Sequence, residues 1–86
     1  MTHKEEQKLT QDFAKAIRKK LDKRSGKGRL GWRKKSLDEL FDRFCDEVKE
    51  LDCAMLGEGD IKDEAVDVAA FAMFIWDKEN KEEAGL

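Results

Sequence analysis

From Ala65 to Trp76 every residue is apolar except Asp67. Nothing else in the chain constrains the fold as strongly. Alanine, methionine and aromatic residues fill the stretch and no proline interrupts it, so it reads as a helix. A helix that is apolar all round is buried all round. A three-helix monomer of 86 residues cannot easily cover every side of one of its helices. The expectation is a homodimer or homotetramer with this helix at the interface, where the small Ala69, Ala70 and Ala72 permit close approach.

The rest of the chain also reads as helix. It has no proline, its glycines fall in loops and the tail, and 44% of its residues are charged. This composition favours an all-α single domain over 1–86, an antiparallel bundle of three main helices with solvated outer faces. The first helix is expected to begin near Thr2, where Thr2 and Glu5 have capping-box spacing. Its apolar stripe is Leu9, Phe13, Ile17 and Leu21, and it ends near Arg24, before Ser25-Gly26-Lys27-Gly28. A basic loop carrying Leu30 and Trp32 fills 26–35, long enough to suggest a functional role. The second helix is expected to start at Ser36, with Glu39 completing a capping box and Asp38 favouring the positive helix end. Leu37, Phe41, Phe44, Val48, Leu51 and Met55 then follow a packing seam, with Glu47 and Glu50 at its rim. Gly57-Glu58-Gly59 forms a turn and Asp60 caps a third helix that runs to about Glu79 or Asn80. Lys78 onward frays, and 81–86 is expected to be a flexible tail.

Charge is divided unevenly along the chain. From Lys15 to Lys35 there are eleven Lys or Arg and one acid, Asp22, whereas Ser36 to Leu86 holds sixteen acids and five basic residues. This asymmetry suits an anionic ligand held between an acidic metal site and a basic segment. Cys45 and Cys53 lie eight apart in one expected helix, too far for a disulfide, and no His or third Cys stands nearby to make a zinc site. No apolar run is long enough to span a bilayer and no secretory leader is recognisable, so no membrane partner and a reducing, cytoplasmic setting are expected.

Two acidic clusters interrupt the apolar helices: Asp46-Glu47-Val48-Lys49-Glu50 and Glu64-Ala65-Val66-Asp67. Residues three apart are neighbours on a helix face, so Glu47 with Glu50, and Glu64 with Asp67, can each aim two carboxylates at one point. Four carboxylates from facing helices suit a hard, oxygen-liking cation such as Mg²⁺, with Mn²⁺ as an alternative. The competing reading pairs Asp67 and Glu64 with Lys or Arg of the basic loop.

The run from Gly31 to Asp77 resembles the MazG-like members of the all-α nucleoside triphosphate pyrophosphohydrolases, whose signature is E-E-x-x-E followed by E-x-x-D. Asp46 stands at the first acid of that signature, and Ala70 where many relatives carry an Asn. The resemblance implies Mg²⁺ ligation by Glu47, Glu50, Glu64 and Asp67. It implies hydrolysis of a (deoxy)nucleoside triphosphate to monophosphate and pyrophosphate, in the service of pool cleaning. Glu47 or Glu50 would orient or deprotonate the attacking water. Arg33, Lys34 and Lys35 would face the phosphates, and Trp32 would stack on the base. Trp32 also reads as a core anchor that pins the loop. Two alternatives remain beside the enzyme. One is a non-catalytic helical interaction module. The other, less favoured for want of interleaved aromatics, is a nucleic-acid-binding protein using the basic arm.

Overall fold

A computed structural model describes residues 1–23 and 31–83. Three helices carry the chain: α1, His3–Lys23; α2, Leu37–Cys53; and α3, Ile61–Glu83. The protein is an all-α bundle, as its composition leads one to expect. Expectations for 24–30 and for 84–86 lie outside the described residues.

Local chemistry sets the helix ends. The Glu5 amide donates to Thr2 Oγ1 at 3.2 Å. At α2 the Ser36 hydroxyl accepts from the Glu39 amide at 3.2 Å while the Ser36 amide donates to Glu39 Oε1 at 3.3 Å. Each satisfies a backbone donor that the first helical turn leaves open. Asp60 Oδ1 does the same for the Asp63 amide at 3.2 Å. A wider π-type turn, Ala54–Glu58, finishes α2, and it is broken by Gly57 at φ +94°. Only glycine takes that backbone conformation without strain. The chain reverses there and α3 returns against α2. α3 continues to Glu83, beyond the Asn80 limit and into the first half of the expected tail. Its last described turn is held in part by Lys81 Nζ on Asp77 Oδ2 at 3.2 Å.

The core is Leu40, Ala70, Phe71 and Phe74, ringed by Ile17, Leu21, Trp32, Phe44 and Ile75. Trp32 sits on a single 3₁₀ turn, Gly31–Lys34. It stacks on Phe74 at 4.4 Å between centroids, with 9° between the rings. Phe71 meets Phe74 edge-on at 5.4 Å. Both are favoured aromatic geometries, so Trp32 pins the connection to α3.

The packing face of α2 is rotated from the expected seam. Leu40, Glu47 and Ala54 are buried and Phe44 and Leu51 half-buried, a four-three-four-three spacing along one face. Phe41 and Met55, by contrast, are 57% and 64% exposed, and Val48 is exposed too. The expected seam therefore mixed two faces, and Glu47 lies inside the helix contact rather than at its rim. α3 is likewise one-sided within the chain. Asp67, Ala70, Phe71 and Phe74 are buried, while Ala72, Met73 and Trp76 face outward. α1 packs through its C-terminal half, with Ile17 and Leu21 against the core. Every residue before Ala16 is exposed, Leu9 and Phe13 included. Among the described residues no helix is long and apolar enough to cross a membrane.

Candidate metal centre

Glu47 enters the contact between α2 and α3 because it occupies the middle of the packing face, between Phe44 and Leu51. Asp67 holds the matching place on α3, one turn before Ala70 and Phe71. Antiparallel pairing at Gly57 sets the two opposite each other. Glu64, one turn before Asp67, completes the group. One carboxylate oxygen from each of Glu47, Glu64 and Asp67 lies within 4.8 Å of the others. Glu47 is 4% and Asp67 7% exposed, and Glu64 is half-buried. Glu47 Oε2 and Glu64 Oε2 are buried without a hydrogen-bond partner. Burying charged oxygens unsatisfied is costly. Two such atoms, from different helices of one acidic cluster, fit a divalent cation with oxygen preference.

Electrostatics carries the same message. Burial pushes the Glu47 carboxyl up to about 7, helped by hydrogen bonding with Glu50 and by the charges of Glu50 and Asp67, while Arg43 opposes the shift. Glu64 is raised in the same direction by desolvation and then by Glu50 and Asp67, with Lys20 opposing. The charges of Glu50 and Asp67 thus hold Glu47 and Glu64 toward the protonated form. Glu50 is exposed and adjoins both Glu47 and Glu64. It closes the cluster on the solvent side. Three of the four acids singled out by spacing thus converge, and Glu50 borders Glu47 and Glu64 without joining that group.

Two cations reach the cluster: Lys20 from a place that sequence spacing does not indicate, and Arg43 from one turn before Glu47 on α2. Lys20 of α1 lies 3.1 Å from Asp67 Oδ2 and 2.7 Å from Asp63 Oδ1. Burial tends to lower the pKa of its ammonium, but hydrogen bonds to Asp63 and Asp67 and their charges carry it above the usual value. Arg43 lies 3.6 Å from Glu47 Oε1 and 3.6 Å from Asp46 Oδ2, with its guanidinium over the Phe71 ring. Among the described residues, a partner of Asp67 is thus supplied by α1. Beside Lys20 opens a cleft of about 230 Å³, lined by Lys19, Lys23 and Lys62 together with Asp60 and Asp63. Its only signal in the sequence is the lysine run on α1, which reads there as a solvated face.

The substrate residues expected on the loop sit elsewhere in the chain. Lys35, like Lys78, lies near Glu39, at the end of α2 that is about 15 Å along the axis from Glu47. Arg33 lies over the Trp32 ring at 5.1 Å, and Trp32 itself is packed on Phe74. Arg33 and Lys34 are exposed. Trp32, Arg33, Lys34 and Lys35 therefore form a second basic region at the far end of the α2–α3 pair. Asp46 is exposed and shares Arg43 with Glu47. Ala70 is buried in the aromatic core, where an amide side chain would need a buried partner. In comparisons with protein-family models, characterised proteins and solved structures, nothing matched this chain.

Proposed function

We propose that the protein is a Mg²⁺-dependent nucleoside triphosphate pyrophosphohydrolase acting as a homo-oligomer. The reading is carried by one observation: three carboxylates from two helices converge within 4.8 Å, and two of their oxygens are buried and unsatisfied. The resemblance of the acidic signature to the MazG-like enzymes supports it and supplies the reaction class. Glu47, Glu64 and Asp67 would hold the ion from inside the helix contact, with Glu50 closing the site at the rim. Bound Mg²⁺, with Mn²⁺ as a substitute, would neutralise phosphoryl oxygens and lower the pKa of a water.

The chain's own residues have separable tasks. Glu50 is the solvent-side carboxylate, open to a water, and is suited to orient it and accept its proton. Glu47 is buried and fixed, which suits ligation better than proton transfer to solvent. Lys19, Lys23 and Lys62 border the cleft beside Lys20 and would meet the polyphosphate of a (deoxy)nucleoside triphosphate. Arg33 to Lys35 would contribute to a site on a neighbouring copy.

The test is product analysis with Mg²⁺ and a panel of ribo- and deoxynucleoside triphosphates, with Glu64→Gln run in parallel. Monophosphate and pyrophosphate, lost in the variant, is the expected result. No turnover of any triphosphate would move the assignment to a non-catalytic helical interaction module. That second reading draws on the exposed Phe41, Met55 and Trp76, which suit association. It predicts self-association that is indifferent to divalent cations.

A further inference from the structure

The contact between α2 and α3 is built in steps of one turn. Glu50 adjoins Glu64, Glu47 converges with Asp67, and the Arg43 guanidinium lies 5.5 Å from the centre of the Phe71 ring. Because the two helices run in opposite directions, each pair lies one turn further along both of them. Arg43 therefore stands one turn, ~5.4 Å along the axis, beyond the level at which Glu47 and Asp67 meet. Its side chain is 47% exposed beside a buried Glu47. The buried Phe71 ring gives the planar group a floor and attracts its charge. Asp46 Oδ2 and Glu47 Oε1 flank it, each at 3.6 Å, which is longer than a hydrogen bond. These carboxylates hold the guanidinium in place without consuming its N–H donors. The Glu47 oxygen that is buried without a hydrogen-bond partner is the other one, Oε2. An oriented, half-open guanidinium thus borders the acid cluster, and its fork of donors suits the oxygens of a phosphoryl group.

We infer that Arg43 grips the phosphoryl group bound at the acid cluster, as a substrate contact on α2 alongside the lysines of the cleft. The inference rests on the metal reading above and deepens it. An ion held by the acids would take one phosphoryl oxygen at about 2.0–2.1 Å, and the guanidinium would take another at about 2.7–2.9 Å. The offset of one turn lies within the reach of those two contacts with a phosphoryl group between them. The charge of Arg43 then sits against oxygens on which negative charge gathers as the group is transferred.

The experiment compares two titrations of the full chain. One follows free Mn²⁺ by electron paramagnetic resonance, and the other follows pyrophosphate by calorimetry at saturating Mn²⁺. Arg43→Gln is expected to weaken pyrophosphate binding by about 10- to 100-fold. It should leave Mn²⁺ binding as strong as in the native chain or stronger, because a like charge has left the surroundings of the ion. Arg43→Lys keeps the charge but not the planar fork, and its pyrophosphate affinity should fall between those of the native chain and Arg43→Gln. A residue that only orients Glu47 or braces the two helices would lose Mn²⁺ affinity when replaced. That result overturns the inference, as does native pyrophosphate affinity in both variants. A native chain that binds Mn²⁺ but no pyrophosphate also overturns it and leaves the metal centre standing. No Mn²⁺ bound by the native chain overturns both. Should Arg43→Gln lose its helical circular dichroism, Arg43→Lys decides by the same titrations. Weaker pyrophosphate binding at native Mn²⁺ affinity supports the inference, and native affinity for both overturns it.

Discussion

At the scale of single residues, Glu47 is the most consequential side chain. Its pKa, raised to about 7, means that the folded, metal-free protein binds a proton more tightly than the unfolded chain does. A proton held preferentially by the native state stabilises it at low pH, and that contribution is lost as pH rises. The melting temperature of the metal-free protein is expected to fall between about pH 4.5 and pH 7, and Mg²⁺ should abolish the fall by replacing the proton. Thermal melts at several pH values, with and without Mg²⁺, read both curves; a metal-free melting point that rises through this window would refute the assignment. Glu47→Gln makes the complementary case. It removes one of the repelling charges, so the metal-free melting point should rise above the native one at pH 8, by ~4–8 °C for each kcal/mol gained. The same variant should lose the stabilisation by Mg²⁺.

At the scale of elements, the helix ends could be read directly from the sequence because they depend on near neighbours. Ser36 with Glu39, and Asp60 with Asp63, are three apart in sequence and also bonded in space. Ser36→Ala is expected to cost about 1 kcal/mol, measured by urea unfolding. Replacing Gly57 by Ala should cost about 1–2 kcal/mol, because a side chain must then take the left-handed conformation. The packing face of α2 could not be read in the same way. Leu37, Phe41, Phe44, Val48, Leu51 and Met55 make a regular apolar pattern, but the face that packs includes a glutamate and an alanine, which hydrophobic counting passes over. Leu40, fully buried at 0% exposure, falls outside that pattern altogether. Leu40→Ala should destabilise by about 2–5 kcal/mol, and Phe41→Ala by much less in a monomer. The contact of Lys20 with Asp63 and Asp67 was hidden for a different reason: nothing in local spacing predicts a meeting across 43 residues or more. The acids themselves were found because each pair lies within one helical turn.

At the scale of the whole molecule, the exposed apolar side chains have a regular geometry. Phe41, Val48 and Met55 recur every seven residues along the outside of α2, the spacing of a helix seam. On α1, Leu9 and Phe13 extend the stripe of Ile17 and Leu21 past the point where the core ends. The proposed self-association predicts that the protein sediments above its 10.0 kDa chain mass, and that Phe41→Glu combined with Met55→Glu reduces it toward a monomer if that stripe is the interface. The half-anchored α1 carries its own consequence for backbone protection. Amide hydrogen exchange reports how often each helical turn opens, and an isolated helical half has little to hold it closed. From Ile17 to Lys23 the amides of α1 should exchange slowly with those of α3. From Glu6 to Ala14 they should exchange fast in dilute protein and slow as concentration rises, if a second copy covers Leu9 and Phe13. One helix would then report both the folding of the chain and its assembly, through two exchange rates that respond to different variables.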